Sequence, residues 1–312
     1  MKVFVTGGTG YLGRAIVRRL VAAGHAPVVF GRTAPESGLP GALVRGDILD
    51  VDAVARALDG CDAVVHAAAH VSIWERDPAI FTRVNVDALS ALIAAAERLA
   101  IPRIVYTSSF LALPPTGATT TIVANDYQRT KVRARALACE AIERGAPLAC
   151  VYPGVIYGPG PMSQGNLIGR LLHDLRRGRL AGLVGAERIW SFAFVDDVAA
   201  GHVAVLERAA MGTHWILGGE NVTQRTPFDI AAARYRRRPA RRIPYGVATL
   251  LGWAEEAKAR LTGMAPLVTR GAVEIFRHDW ALDSRDAVAA LGYTITPLRD
   301  GLERTLASLE SA

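Results

Sequence analysis

Tyr127 and Lys131 stand four residues apart in the run Tyr127-Gln128-Arg129-Thr130-Lys131, so on a helix they share one face. A phenol titrates near pH about 10, too high for a base at neutrality. A neighbouring ammonium favours the phenolate, and lowering the phenol by about three units takes about 4 kcal/mol of differential interaction. A pair tuned this way can pass a proton to or from an oxygen. The pair also holds one of only three lysines in the chain, the others being Lys2 and Lys258. Its bland alternative is a surface tyrosine on a helix. Upstream, Tyr106-Thr107-Ser108-Ser109-Phe110 closes an apolar run, and a serine hydroxyl there can hold the reacting oxygen beside Tyr127. A nucleophilic serine is the rival reading, but no G-x-S-x-G elbow surrounds it.

The stretch that must position a partner for this chemistry is the first, MKVFVTGGTGYLGRAIVRRL. Lys2 to Val5 reads as a buried strand, and Tyr11 to Leu20 as an apolar-periodic helix. Between them Gly7 permits a tight turn, Gly10 lets backbone approach a pyrophosphate, and Gly13 lets the helix pack closely on the strand. Unsatisfied N–H groups and the positive end of the helix dipole then face the phosphates. A positive nicotinamide would further favour the Tyr127 phenolate.

Strands are expected at Ala26 to Phe30, Ala42 to Arg45, Ala63 to Ala67, Arg103 to Thr107 and Leu148 to Tyr152. Helices are expected at Val51 to Leu58, Val84 to Leu99 and Tyr127 to Arg144. This alternation predicts an α/β fold, a Rossmann-type doubly wound parallel sheet. Beyond Pro153 the pattern loosens. Leu167 to Arg177 and Val198 to Arg208 read as helices, Ile189 to Val195 as extended, and His214 to Leu217 as a strand able to rejoin the sheet. The reading is a dinucleotide-binding domain of 1–158 plus about 193–219, and a smaller, mainly helical substrate lobe of about 159–192 plus 220–312.

The second strand ends at Gly31-Arg32, where an NAD-selecting fold places an acid, whereas an arginine can meet the 2′-phosphate of NADP. The nearest acid is Glu36. Arg32 therefore favours NADP weakly, with NAD the alternative. Asp47 and Ile48 follow the third strand, where Asp47 could reach the adenine.

Half of the 312 residues are hydrophobic, enough for a sizeable core, and no run approaches the length of a membrane span. There is no signal-peptide pattern. Cys61, Cys139 and Cys150 show no metal or redox spacing and suit buried packing in a reducing cytosol, so no metal is expected. The net charge is +7, carried almost wholly by arginine. The dense cluster Arg234-Tyr235-Arg236-Arg237-Arg238 before Pro239 reads as a solvated helix end rather than a nucleic-acid site.

Taken together, the sequence resembles an extended short-chain dehydrogenase/reductase almost end to end. The resemblance is carried by Thr6-Gly7-Gly8-Thr9-Gly10-Tyr11-Leu12-Gly13, His66-Ala67-Ala68-Ala69, Asn85-Val86, Thr107-Ser108-Ser109, Tyr127 with Lys131, and Tyr152-Pro153-Gly154-Val155-Ile156-Tyr157-Gly158-Pro159-Gly160. Phe194-Val195-Asp196-Asp197-Val198 and Leu217-Gly218-Gly219-Glu220-Asn221 resemble the dihydroflavonol-reductase-like branch, with its farnesol dehydrogenases and hopanoid-associated sugar epimerases. Ser109 to Leu113 and Gly165-Asn166-Leu167 are most like the farnesol dehydrogenases.

The resemblance implies Ser109, Tyr127 and Lys131 as the catalytic set, with Asn85 orienting the lysine through water. It implies that Thr9, Tyr11, Leu12, Ala67, Ala68, Ala69, Thr107, Pro153, Val155 and Ile156 join the glycines around the cofactor, and that the helices bearing Asn85 and Tyr127 form a homodimer interface. Sugar-nucleotide epimerases often carry an arginine just before the aromatic-rich strand, where this chain has Trp190-Ser191-Phe192, with Arg188 two residues before Trp190. Val71, Ile73, Trp74, Phe110 and Trp190 are large and apolar, and about half are expected to be core. Those that line a pocket, with Tyr157 and Asn166, suit an apolar or aromatic substrate.

The leading expectation is thus a cytoplasmic NAD(P)-dependent oxidoreductase moving hydride between nicotinamide and a secondary or allylic alcohol or carbonyl. A sugar or nucleotide-sugar epimerase/dehydratase that retains its cofactor is the alternative. A non-enzymatic cofactor sensor or RNA-associated protein is the second.

Overall fold

The computed structural model describes residues 1–32 and 38–311, so Glu36 lies outside the described residues. Seven parallel strands form the main sheet. They are β1 (Lys2–Thr6), β2 (Ala26–Gly31), β3 (Ala42–Arg45), β4 (Ala63–His66), β5 (Ile104–Thr107), β6 (Leu148–Pro153) and a later strand, His214–Leu217, that pairs with β6 as expected. Strands β1, β4, β5 and β6 are buried almost throughout because helices cover both faces, which is why they read as unbroken apolar runs.

One face carries α1 (Tyr11–Ala22), and the other α2 (Val51–Leu58). The stretch expected as one helix over 84–99 starts earlier. It comprises α3 (Ala79–Thr82), a π-helical turn over Arg83–Asp87, and α4 (Ala88–Arg98). An inserted residue widens the backbone there, which apolar periodicity does not reveal. The stretch Ala79–Arg98 has a mean hydropathy of 1.4 and is, contrary to the sequence reading, long and apolar enough to cross a membrane. Here it is a core helix, with Leu89, Leu92 and Ile93 buried with the sheet. The helix α5 (Asp126–Glu143) follows, its first turn capped by Asn125, which accepts from the Gln128 N–H.

Past β6 the chain runs into β7 (Val155–Tyr157), then α6 (Leu167–Arg176), β8 (Leu183–Val184) and β9 (Ile189–Phe194). Next come α7 (Val195–Arg208), three residues longer at its start than expected, and β10 (His214–Leu217), the strand that rejoins the sheet. β11 (Glu220–Thr223), β9 and β7 form a second, three-stranded sheet. After α8 (Thr226–Arg234), β12 (Arg242–Ile243) pairs with β8. The remainder is helical: α9 (Tyr245–Thr262), α10 (Arg270–Ile275), α11 (Arg285–Leu291) and α12 (Leu298–Glu310). In the arginine cluster, Arg234 pairs with Glu310 and Arg237 donates to the Arg176 carbonyl, while all of its arginines stay exposed. Cys61 and Cys150 are buried and Cys139 half-buried.

Candidate active site

The strand order of the main sheet is β10-β6-β5-β4-β1-β2-β3. Connections therefore diverge between β1 and β4, and a crevice opens beyond the strand ends at that point. The loops after β1 and β4 meet there. Gly7 has φ +71°, and a methyl on it would stand 2.6 Å from the Ala68 nitrogen. A methyl on Gly13 would stand 1.9 Å from the Gly7 carbonyl oxygen, so any side chain there would push α1 off the loop. The N-terminus of α1 has no side-chain cap at Gly10, leaving its first N–H groups for an outside acceptor. This cradle fits a dinucleotide pyrophosphate.

The rest of the loop is held from behind. Thr6 Oγ1 accepts from the Ala68 N–H and lies 2.8 Å from His66 Nδ1. Burial depresses the His66 imidazole to about 3, so it stays neutral. The Thr9 carbonyl accepts from Arg14, Leu12 is half-buried, and Tyr11 is buried with its hydroxyl donating to the Gly158 carbonyl. Ala67, Ala68 and Ala69 are half-buried at the crevice, and Pro153 ends β6 on the same edge of the sheet. Val155 is buried and Ile156 half-buried in β7. Asp47 is exposed and caps its own turn at the Leu49 N–H, with Ile48 half-buried beside it. Arg32 is exposed, its carbonyl accepting from Arg45.

The structure brings Ser109, Tyr127 and Lys131 together at the end of β5. Lys131 is buried, with Nζ donating to the Thr107 carbonyl at 3.1 Å and lying 5.5 Å from the centre of the Tyr106 ring. Thr107 is fixed in turn: its hydroxyl lies 3.0 Å from His202 Nε2, whose Nδ1 is 2.7 Å from the Val198 carbonyl. Because Nδ1 must donate to that carbonyl, Nε2 accepts from Thr107. His202, buried and depressed to about 4, is thus a neutral strut from α7. Sequence spacing did not single it out.

Burial lowers the Lys131 ammonium to about 8. It pushes the Tyr127 phenol up to about 12, against a smaller pull from a hydrogen bond with the Ser109 hydroxyl. The direction for Tyr127 is opposite to the sequence expectation. Desolvation outweighs the Ser109 hydrogen bond, and burial also disfavours the lysine as a cation. The chain alone therefore holds Tyr127 as a neutral phenol.

Asn85 sits buried in the π turn and is bonded directly to α5 through Thr130. Its Nδ2 donates to Thr130 Oγ1 at 3.0 Å and to the His70 carbonyl at 3.1 Å, and its Oδ1 accepts from the His70 N–H at 2.7 Å. Thr130 passes the link on to the Tyr127 carbonyl. Asn85 thus ties the loop after β4 to the turn of α5 that carries both Tyr127 and Lys131.

Among the expected substrate contacts, Val71 is exposed and Trp74 half-buried, and Ile73 beside them is exposed. Phe110 and Trp190 are buried in an aromatic cluster with Phe276 and Trp280. Tyr157 is fully buried against Phe194 and α12, and the Asn166 amide is spent on capping α6 and on the Pro161 carbonyl. Those two support the fold rather than a pocket surface.

A sequence model of the NAD dependent epimerase/dehydratase family matches residues 3–218. Over 332 residues the chain is 30% identical to a 2-alkyl-3-oxoalkanoate reductase of Stenotrophomonas maltophilia, covering 99% of each chain. Over 321 residues it is 28% identical to a putative dihydroflavonol 4-reductase of Synechocystis sp., covering 96% of this chain and 92% of the relative. The crystal structure of gox2253 superposes with a TM-score of 0.84 at 29% identity, covering 99% of this chain and 98% of that one. The chain therefore belongs to the NAD dependent epimerase/dehydratase family, among the dihydroflavonol-reductase-like extended short-chain dehydrogenases/reductases, and is an NAD(P)-dependent enzyme of that class.

Proposed function

We propose that the chain interconverts a secondary or allylic alcohol and its carbonyl on an apolar or aromatic substrate. The bound nicotinamide supplies or accepts the hydride. The protein's own part is the proton and the positioning. In the reducing direction Tyr127 gives its proton to the carbonyl oxygen as hydride arrives at the carbon, and Ser109 holds that oxygen. Lys131, tethered to Thr107, stabilises the phenolate left behind and binds the ribose, while Asn85 keeps α5 in register with the loop after β4. The observation that carries this reading is a buried Lys131, on the α5 face it shares with Tyr127, tethered to the Thr107 carbonyl at the crevice end of β5, two residues before Ser109.

The apolar character rests on Val71, Ile73 and Trp74, with the aromatic cluster of Phe110 and Trp190 behind, and on reductase-named relatives. The substrate lobe is the part built from about 159–192 and 220–312. A cytosolic homodimer joined through the helix that bears Asn85 and α5 completes the proposal. The test is Tyr127→Phe, whose turnover should fall by about two to four powers of ten. Undiminished turnover with an apolar ketone would sink the assignment. Nicotinamide retained through purification, with no net oxidation or reduction during turnover of a nucleotide sugar, would favour an epimerase instead.

Cofactor choice is proposed to lean to NADP through Arg32. A charge-assisted bond to the 2′-phosphate contributes roughly 1.5–3 kcal/mol, or about ten- to a hundredfold in affinity. NAD would leave the exposed arginine in water, so it would still bind, only less tightly. The ratio of NADPH to NADH dissociation constants should collapse in Arg32→Ala. A wild-type ratio favouring NADH, or one that the substitution leaves alone, refutes this role.

A further inference from the structure

The outer face of α9 has no covering among the described residues. Val247, Leu250, Ala254, Ala257 and Leu261 recur at helical spacing on the side opposite the buried Ala248, Gly252 and Ala259. Leu250 is 72% exposed and Leu261 88%, and in the loop that follows Leu267 is 86% exposed. Side chains exposed to this degree stand proud of the surface rather than line a cleft. Trp253 is also exposed, its ring stacked on the Arg270 guanidinium.

The chain segment that contains α9 is predominantly basic. Residues 236–270 hold eight basic side chains, Arg236, Arg237, Arg238, Arg241, Arg242, Lys258, Arg260 and Arg270, against two acids. Both acids are engaged: Glu255 accepts from Lys258 and the Leu267 N–H, and Glu256 from Arg270. Arg241 and Arg242 stand exposed immediately before the first turn of α9. A two-fold interface through this face would set arginines against arginines, because each copy presents the same patch. An anionic bilayer complements it, taking the apolar crest into the acyl boundary and the arginines onto its phosphates.

We propose that α9 and the loop to Leu267 dock the protein peripherally on anionic phospholipid membranes. The face lies close to the crevice. A methyl on Gly263 would stand 3.6 Å from the guanidinium of Arg76, just past Trp74, and one on Gly271 would stand 2.2 Å from the Ala124 carbonyl, just before α5. Docking thus brings the region of Val71, Ile73 and Trp74 near the lipid. Delivery of an apolar substrate from the bilayer rests on the function proposed above, whereas docking itself does not.

The experiment is flotation of the full chain with vesicles of phosphatidylcholine alone or mixed with phosphatidylglycerol. Binding is expected to the mixed vesicles at low salt, with loss on the order of tenfold as salt is raised. Leu250→Ser with Leu261→Ser should cut binding by about tenfold or more, with the thermal melt and turnover of a water-soluble substrate unchanged. Arg241→Ala with Arg242→Ala should weaken binding and flatten its salt dependence. Absence of flotation with anionic vesicles overturns the proposal, as does binding indifferent to both double variants. A switch from dimer to monomer in Leu250→Ser with Leu261→Ser, without any vesicle binding, would assign the face to a second copy instead.

Discussion

The crevice and the lobe beyond it fill their interiors with opposite materials. Behind the crevice a set of buried groups is polar: Lys131, Asn85, His66, His202, Thr107 and Ser109, each hydrogen-bonded within the protein. The lobe is filled by rings. Trp190 stacks on Phe276 with centroids 5.1 Å apart, and Phe110 meets Trp190 at 5.8 Å and Trp280 at 5.5 Å. Burying a polar group gives little net stability even when it is paired, whereas an aromatic side chain contributes area directly. The contrast teaches that the reactive half is the expensive half. Its lysine is kept despite a burial cost, and apolar packing elsewhere must offset that cost.

Substitutions in the two interiors should therefore move stability in opposite directions. The largest effect belongs to the rings. Trp280 is fully buried, donates Nε1–H to the Ile275 carbonyl, and meets Trp190 across a bridge. Trp280→Ala should lose about 3–5 kcal/mol in denaturant unfolding. A loss well below that range would show the cluster to be loosely packed.

Lys131→Met is the inverse case. The folded group titrates at about 8 against an ordinary 10.5. Between those values the unfolded chain binds more protons, so wild-type stability rises with pH from about 8 towards 10. Below pH about 8 the whole penalty is present, and Lys131→Met should be more stable by about 2–3 kcal/mol while losing activity. That advantage should shrink as pH climbs to 10. Above this the raised phenol of Tyr127 acts the other way, because the unfolded chain gives up its proton first. A variant less stable than wild type at pH 7 would break the comparison.

Smallest are two glycine substitutions that separate the halves again. Gly13→Ala drives a methyl into the Gly7 carbonyl, and should lose roughly 1–3 kcal/mol together with most cofactor affinity by calorimetry. Gly246→Ala, with open space around it near the start of α9, should gain about 0.5–1 kcal/mol and leave cofactor affinity alone.

What could be read from the sequence follows the same division. Strands β1, β2 and β4 to β6 were legible to within a residue because a sheet covered on both faces needs unbroken apolar runs. The glycine loop and the shared helix face of Tyr127 and Lys131 were legible because their spacing is their geometry, whereas Ser109 was singled out by the resemblance to a family motif. The direction of the Tyr127 shift was not, since it depends on desolvation and charge in three dimensions. The route from Asn85 through Thr130 was hidden by the π turn, and the strut from His202 by a separation of 95 residues from Thr107. Apolar periodicity also could not tell that α9 turns its stripe outward. The pattern records a face, but not what lies against it.

The chain passes between the two larger sheets at three seams. β6 reaches β7 across Gly154 alone, β9 continues directly into α7, and β10 reaches β11 across Gly218 and Gly219. At two of these seams a methyl would strike strand β9: on Gly154 at 2.6 Å from the Ser191 carbonyl oxygen, and on Gly219 at 1.8 Å from that of Phe192. Three short stitches restrain two bodies far more than one hinge does. Swinging the smaller sheet would bend backbone at all three stitches at once. For the same reason the smaller sheet is no transplantable module. Cutting it out would yield separate scraps of chain, and this half of the enzyme is heritable only together with the other.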